Sequence, residues 1–173
     1  MPSRTIFVTV GTTQFAALVT AASTPLFLAA ARELGFSSVI IQHGRGPAPP
    51  VPPRSPALAG LEVYSLKPDI SADLAACSFC VSHAGAGSVF EALRGGVPLL
   101  VACNPALADN HQEELAAAMA EGGHCAVARA PLTAEGLCAD LRAAVARWFL
   151  PLPPATPGAF VVAVDAACEA RRR

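Results

Sequence analysis

Short runs of β-branched and other apolar residues alternate along this chain with longer alanine- and leucine-rich segments. Strands that alternate with helices in this way are typical of βαβ units, which place parallel strands in one sheet. We therefore predict an α/β fold, a single Rossmann-like domain with a mostly parallel sheet flanked by helices. The predicted strands lie near 5–10, 38–42, 61–65, 78–82, 98–102 and 124–128, and the predicted helices near 14–34 (broken at Pro25), 69–76, 87–95, 109–121 and 133–148.

Length and composition narrow the class of protein. The 173 residues suffice for one domain with a substantial core and are too few for two full nucleotide-binding lobes. With 53% hydrophobic residues, 14% charged residues and a formal net charge of −1, the chain is neither of the disordered nor of the nucleic-acid-binding type. Polar residues interrupt the uncharged stretch from Thr5 to Ala31, so we expect a strand and helix there and no signal peptide or membrane span.

Proline-rich stretches divide the chain. We predict a Rossmann-like domain over 1–149, a proline-rich linker over 150–158 and an apolar C-terminal segment over 159–173. That last segment either packs back on the domain or docks on another protein. The six prolines between Gly44 and Gly60 exclude a helix or a central strand there. They are typical of a stiff solvent loop, with a lid over a ligand as the alternative.

The six cysteines are scattered through apolar segments, which is typical of buried thiols in a reducing compartment. Cys77 and Cys80, with His83 nearby, have a spacing found in metal sites. However, a structural zinc ion needs four ligands, and Cys80 lies inside a predicted strand. We therefore expect no metal site.

Glycine-rich and polar segments follow the predicted strands. The first predicted strand is followed by Gly11-Thr12-Thr13. The fourth ends at His83 and is followed by Gly85-Ala86-Gly87-Ser88, and the fifth is followed by Asn104. Because open parallel sheets bind ligands at the carboxyl ends of their strands, we expect these residues to line one crevice. Backbone amides at a helix N-terminus suit a phosphate. Phe90 replaces the third glycine of a dinucleotide fingerprint, which disfavours an NAD site.

Polar side chains at two helix starts extend this prediction. Glu91 lies one turn into the helix after the glycines, where it either complements the helix dipole or accepts the two hydroxyls of a ribose. Asp109-Asn110-His111-Gln112 opens the next helix, with Asp109 as a natural N-cap and His111 and Gln112 available to a sugar. His83 is either a core histidine or a phosphate contact, and Ser88 either a helix cap or a phosphate donor. Together these residues predict a nucleotide-sugar site.

Four segments together closely resemble a known family. The family is that of the catalytic subunits of the UDP-N-acetylglucosamine transferase that adds the second sugar to the dolichol-linked precursor of asparagine-linked glycans. Its wider class is the C-terminal, donor-binding lobe of family 28 glycosyltransferases, which are GT-B enzymes and include bacterial MurG. The matching segments are Val8-Thr9-Val10-Gly11-Thr12-Thr13-Gln14-Phe15, Gln42-His43-Gly44-Arg45-Gly46, Ser82-His83-Ala84-Gly85-Ala86-Gly87-Ser88 with Glu91-Ala92-Leu93, and Asp109-Asn110-His111-Gln112-Glu113-Glu114-Leu115-Ala116.

The resemblance implies an inverting transferase subunit that uses UDP-N-acetylglucosamine and acts on dolichol-diphosphate-linked N-acetylglucosamine. It implies a membrane-anchored partner that supplies the acceptor lobe, at the cytosolic face of the endoplasmic reticulum, with the C-terminal segment helping to hold the pair together. Glu91 would hold the uridine ribose, Gly85 to Ser88 the diphosphate, and His111 with Gln112 the N-acetylglucosamine. No cofactor, metal or nucleic acid is implied.

Two questions stay open on the sequence. The general base is unassigned, with His83, His111, Asp109 or a group of the partner lobe as candidates. The activity also has alternatives, namely a non-catalytic nucleotide-sugar-binding subunit that completes its partner's site, or a subunit of a bacterial exopolysaccharide glycosyltransferase. A nucleotide-sugar epimerase or hydrolase lobe is disfavoured because it would need a second lobe in the same chain.

Overall fold

The computed structural model describes residues 4–50, 58–106 and 111–154, and it has the predicted α/β fold. Six parallel strands form one sheet, so the sheet is entirely parallel where we predicted it to be mostly so. The strands are β1 Thr5–Thr9, β2 Ser38–Gln42, β3 Gly60–Tyr64, β4 Phe79–His83, β5 Leu99–Ala102 and β6 Ala126–Val127. The helices are α1 Ala16–Ser23, α2 Pro25–Glu33, α3 Ser71–Ala76, α4 Ala86–Arg94, α5 His111–Glu121 and α6 Ala134–Val145.

The strand order indicates which edge of the sheet can bind a ligand. The strands run β3-β2-β1-β4-β5-β6 across the sheet, so the order reverses between β1 and β4. In open α/β sheets a crevice forms at the carboxyl ends of the two strands that flank such a reversal. Thr9 pairs with Ser82 at the end of these two strands, which brings the loop after β1 next to the turn after β4.

Helices cover both faces of the sheet. Along β1, Ile6 and Val8 belong to one buried cluster, with α1, α2 and α6, whereas Phe7 belongs to the other, with α3, α4 and α5. All three side chains are fully buried. Successive strand residues point to opposite faces, so a strand buried on both sides must be apolar throughout, and this is why the first strand has no polar alternation.

The predicted helix break at Pro25 is confirmed. Thr24 has an extended backbone and its Oγ1 accepts from the amide of Phe27 at 3.2 Å, so it caps α2. Pro25 occupies the first position of that helix, where its missing N–H costs no hydrogen bond. The segment therefore forms two short helices, α1 and α2.

Some of the predicted features lie partly outside the described residues. The residues that are not described include 51–57 of the proline-rich stretch, all of 159–173, and Asp109 and Asn110. The prediction of a docking segment and the choice between a loop and a lid therefore stay predictions. Among the described residues, no helix is both long and apolar enough to cross a membrane.

Candidate functional site

A cavity of about 370 Å³ opens at the carboxyl ends of β1 and β4, at the reversal of strand order. Three segments form its walls: the loop after β1, the turn that leads into α4, and the loop between β3 and α3. Its lining residues are Gly11, Thr12, Gln42, Lys67, Pro68, Asp69, Ile70, His83, Gly85, Gly87, Ser88 and Glu91.

A buried polar pair positions the loop after β1. The Thr9 hydroxyl donates to Oε1 of Gln42, and both side chains are almost fully buried. The same hydroxyl oxygen accepts from the amide of Gly11 at 3.0 Å. Gly11 has a φ of +59°, a conformation that favours glycine, and it turns the chain at once out of the strand. The end of β1 is thus fixed relative to the end of β2.

His83 ends β4 beneath the glycine-rich turn and is 6% exposed. Its ring lies between Gly11 and Gly85, and a Cβ on either glycine would come within 2.8 Å of ring atoms. Its Nδ1 is buried and makes no hydrogen bond within the described part of the chain. Burial lowers the pKa of His83, and the nearby backbone of Thr9 opposes this in part. A buried, unpartnered nitrogen beside a cavity is suited to a polar ligand.

The N-terminus of α4 faces the same cavity. Gly85 is the N-cap residue, and no side chain of the described residues caps this helix, whereas Thr24 and Thr133 cap α2 and α6. Uncapped amides at the positive end of a helix dipole bind anions. Ser88 is the third residue of α4 and lines the cavity, so the alternative in which it caps the helix is excluded.

Glu91 is the sixth residue of α4 and is exposed on the cavity side. It follows Gly87 by four positions and Ser88 by three, so all three lie on one face of the helix. The helix dipole acts mainly within the first turn, and α4 has no acidic residue there. The position of Glu91 therefore favours a ligand contact over complementing the dipole.

The loop from Lys67 to Ile70 forms the opposite wall and is held by ionic contacts. The Lys67 ammonium contacts both carboxylate oxygens of Asp73, at 3.0 and 3.1 Å, and lies 4.0 Å from the ring centre of Tyr64. Tyr64 donates its hydroxyl to Asp73 at 2.5 Å. Burial and the Asp73 carboxylate raise the pKa of Tyr64. This network ties the end of β3 to the start of α3.

Sequence reasoning missed Gln42 and this Lys67–Ile70 loop as site residues. Gln42 carries the same signal as His83, a polar side chain that ends a buried strand. The loop follows β3 directly, at the same edge of the sheet. Strand ends alone could have indicated both.

The structure separates some of the predicted site residues from the cavity. Thr13 and Asn104 line a second, open pocket, which shares Thr12 with the cavity. Ala86, the first residue of α4, is exposed and is not among the residues that line either pocket.

The polar run at the start of α5 is only partly described. Asp109 and Asn110 lie outside the described residues, and only the backbone of His111, the first residue of α5, is described. Gln112 has a buried Oε1 with no hydrogen-bond partner within the described ranges, and it is not among the residues that line the cavity. The sugar contacts predicted for His111 and Gln112 therefore stay predictions.

The described cysteines are all free thiols, and Cys80, Cys125 and Cys138 are buried. Burial raises the pKa of the Cys80 thiol well above its ordinary value, so it is protonated and inert at neutral pH. Within 4–50, 58–106 and 111–154, no three His, Cys, Asp or Glu side chains come together as a metal site would require.

The comparisons with known proteins agree with this geometry. The chain is 38% identical over 146 residues to the human UDP-N-acetylglucosamine transferase subunit ALG13, a match that covers 78% of this chain and 13% of that protein. It therefore spans only a small part of that relative's length. The subunit of the same name from Eremothecium gossypii is 32% identical over 178 residues, which cover 88% of this chain and 87% of that one.

Solved structures resemble the whole fold. The solution structure of ALG13 aligns with a TM-score of 0.67 and 26% identity, over 91% of this chain and 93% of that one. Acinetobacter baumannii MurG aligns with a TM-score of 0.62 and 19% identity, over 96% of this chain and 50% of MurG, so that this chain has the fold of about half of that enzyme. Residues 5–147 match the glycosyltransferase family 28 C-terminal domain, and the chain belongs to that family.

Proposed function

We propose that this chain is the donor-binding subunit of an inverting N-acetylglucosaminyltransferase and that its cavity holds UDP-N-acetylglucosamine. The observation that carries the proposal is the meeting of an uncapped helix N-terminus, the unpartnered His83 and the exposed Glu91 in one cavity at the reversal of strand order. An anion and a sugar diol together are what a nucleoside diphosphate presents. The relatives are UDP-N-acetylglucosamine transferase subunits, which supports N-acetylglucosamine as the sugar.

We assign each part of the donor to the cavity wall whose chemistry suits it. The diphosphate lies at the N-terminus of α4, on the amides of Gly87 and Ser88, with the Ser88 hydroxyl as a further donor. The ribose hydroxyls donate to the Glu91 carboxylate, three residues further along α4. The uracil base lies against the loop from Lys67 to Ile70, which faces α4 across the cavity. Gln112 and His111 contact the sugar at the start of α5.

The proposed reaction moves N-acetylglucosamine to the 4-hydroxyl of N-acetylglucosamine on a lipid diphosphate, with dolichol as the lipid. The hydroxyl oxygen bonds to the anomeric carbon as the bond from that carbon to the β-phosphate oxygen breaks, which inverts the centre. UDP leaves with the electron pair, and the hydroxyl proton goes to a general base. The amides and dipole of α4 stabilise the negative charge that develops on the diphosphate, without a metal ion.

The position of His83 favours a contact with the diphosphate of the donor. Its ring lies under the turn that leads into α4, beside Gly85 and Ser88. From there it can contact a phosphate oxygen, and the acceptor proton would go to His111, to Asp109 or to a group of the partner lobe. A protonated His83 would add positive charge next to the leaving diphosphate.

We further propose that the acceptor lobe comes from a membrane-anchored partner at the cytosolic face of the endoplasmic reticulum. The relatives are named as subunits of a transferase, which supports a partner that supplies the second lobe. The segment 159–173 would dock on that partner.

Calorimetry with UDP and the Glu91→Ala variant tests the donor site. Loss of a carboxylate that accepts from the ribose should weaken binding by about 1–3 kcal/mol, the scale of a hydrogen bond to a charged group. Glu121→Ala is the matched control, because Glu121 is exposed at the far end of α5 and should leave the affinity unchanged. Equal affinity of Glu91→Ala and wild type for UDP would exclude the ribose contact.

Activity of the complex with its partner tests the transferase role. Transfer to a lipid-diphosphate-linked N-acetylglucosamine should fall in the Glu91→Ala and Gln112→Ala variants. Full activity in both variants, with UDP still bound by the wild type, would instead indicate a non-catalytic binding subunit. A preference for bacterial polyprenol acceptors would indicate the exopolysaccharide class.

A further inference from the structure

A second pocket of about 560 Å³ lies beside the donor cavity. Thr12 lines both spaces. The second pocket is polar and open, and one of its walls is cationic. Its lining residues are Thr12, Thr13, Gln14, Arg45, Asn104 and Ala106.

Arg45 is an exposed cation without an anionic partner among the described residues. Other cations of the described chain are engaged, since Lys67, Arg129 and Arg142 each contact a carboxylate within 3.0 Å. The guanidinium presents several donors in one plane and matches the oxygens of a phosphate. An Arg45 that borders a polar pocket and has no carboxylate to neutralise it is therefore available to an anionic ligand.

The turn that carries Arg45 is held firmly in place. Gly44 has a φ of +64° and lies against Thr13 so closely that a Cβ would overlap the carbonyl of that residue. The Arg45 amide donates to that same carbonyl at 3.0 Å, and the Gly44 amide donates to the Ser65 carbonyl at 3.1 Å. These contacts fix the backbone of Arg45 beside the loop after β1. Its side chain consequently stays within reach of the pocket.

The opposite wall is tied to the same loop. The side-chain amide of Asn104 donates to the carbonyl of Gln14 at 3.1 Å, and its Oδ1 accepts from the amide of Ala106 at 3.1 Å. The segment after β5 is thereby joined to the loop after β1. Both walls are therefore preformed, which lowers the entropic cost of binding a ligand between them.

We propose that this second pocket binds the diphosphate of the acceptor lipid and that Arg45 is its principal contact. The inference rests on the proposed function. The attacking 4-hydroxyl and the diphosphate stand at opposite ends of one sugar ring, so the acceptor diphosphate must be bound about one ring away from the donor sugar. The pocket that Arg45 lines shares Thr12 with the donor cavity and is therefore next to it, which supports this assignment. The hydroxyls of Thr12 and Thr13 add neutral donors.

Kinetics of the transferase complex separate the two diphosphates. Arg45→Ala should raise KM for the lipid acceptor at least tenfold, with Arg45→Lys in between, while KM for UDP-N-acetylglucosamine and Kd for UDP stay at their wild-type values. Arg32→Ala is the matched control, because Arg32 is an exposed arginine at the end of α2. An unchanged acceptor KM would overturn the inference. A raised KM for UDP-N-acetylglucosamine would overturn it as well, by assigning Arg45 to the donor.

A binding measurement on the free chain tests the same pocket without the partner. Inorganic pyrophosphate is titrated into the UDP-saturated chain, and amide shifts in the NMR spectrum are followed. We expect shifts at Thr13 and Arg45 in the wild type, and their loss in Arg45→Ala. A chain that binds UDP and shows no pyrophosphate response there would overturn the inference and leave the proposed function intact. A chain that binds no UDP would overturn the proposed function, and this inference with it.

Discussion

Gly85 and His83 are packed so closely that the ring of His83 occupies the space a side chain on Gly85 would need. A Cβ at Gly85 would lie 2.7 Å from Cε1 of the imidazole and closer still to Nε2. The backbone of Gly85 has a φ of −74°, so the glycine is required for space and not for its conformation. We predict that Gly85→Ala displaces the ring, costs about 1–3 kcal/mol of unfolding free energy by overpacking and weakens UDP binding. Chemical denaturation and calorimetry measure the two effects.

Gly87→Ala is the control for that variant. A Cβ at Gly87 meets no atom within 4 Å, and the residue is already helical, so the change should leave stability equal or raise it by up to about 1 kcal/mol. Combining His83→Ala with Gly85→Ala should recover stability relative to Gly85→Ala, because the obstructing ring is gone. A double variant no more stable than Gly85→Ala would show that the ring is not the obstacle.

The lowered pKa of His83 predicts a pH dependence of stability. The folded protein binds a proton at His83 more weakly than the unfolded chain, so the unfolded state takes up more protons as the pH falls. The contribution of neutral His83 is complete above its unfolded pKa, about 6.5, and is lost as the pH falls from there toward the folded pKa. We expect wild type to lose more unfolding free energy than His83→Gln between pH 7.5 and about pH 5 in urea titrations. Parallel curves for the two proteins would contradict this.

The sequence predicted the positions of the strands and helices, but not which strands lie next to each other in the sheet. Strand positions and the break at Pro25 follow from local patterns, namely β-branched runs and a proline after a capping threonine. The meeting of β1 with β4 depends on strand order, a tertiary property that no local pattern encodes. Glu91 was found as a candidate because a glycine-rich turn precedes it, whereas Lys67 follows a strand end without such a motif.

The division of the crevice into two pockets was likewise beyond the sequence. Thr13 and Asn104 follow strand ends, as Gly11 and His83 do, and the same reasoning placed all four in one site. Side chains at one edge of a sheet still spread over several strand widths, each about 4.8 Å. The Asn104 bond to Gln14 joins the segment after β5 to the loop after β1. Thr13 and Asn104 accordingly face Arg45 and not Glu91.

Gly44 predicts a second backbone effect, with a matched control in Gly96. Both glycines have a positive φ, +64° and +68°, but only a Cβ at Gly44 would meet other atoms, Val10 Cγ2 at 2.8 Å and the Thr13 carbonyl closer still. Gly96→Ala should cost about 1 kcal/mol for the left-handed backbone alone. Gly44→Ala should cost clearly more, by a further 1–3 kcal/mol, roughly the cost of overpacking. Thermal unfolding of the two variants compares them, and equal losses would contradict the contact between Gly44 and Thr13.

Deletion of 159–173 tests the predicted docking segment. All six strands and six helices of the described chain end by Val145, and the described members of both buried clusters lie at or before Leu152. We therefore expect the shortened chain to keep its far-UV circular dichroism, its melting temperature and its affinity for UDP, and to lose co-purification with its membrane partner. Removing only Arg171 to Arg173 is the control, since it keeps the apolar part of the segment. A shortened chain that still co-purifies would contradict the docking role. A loss of several degrees in melting temperature would instead show that the segment packs back on the domain. Apolar surface buried there would stabilise the folded state in proportion to its area.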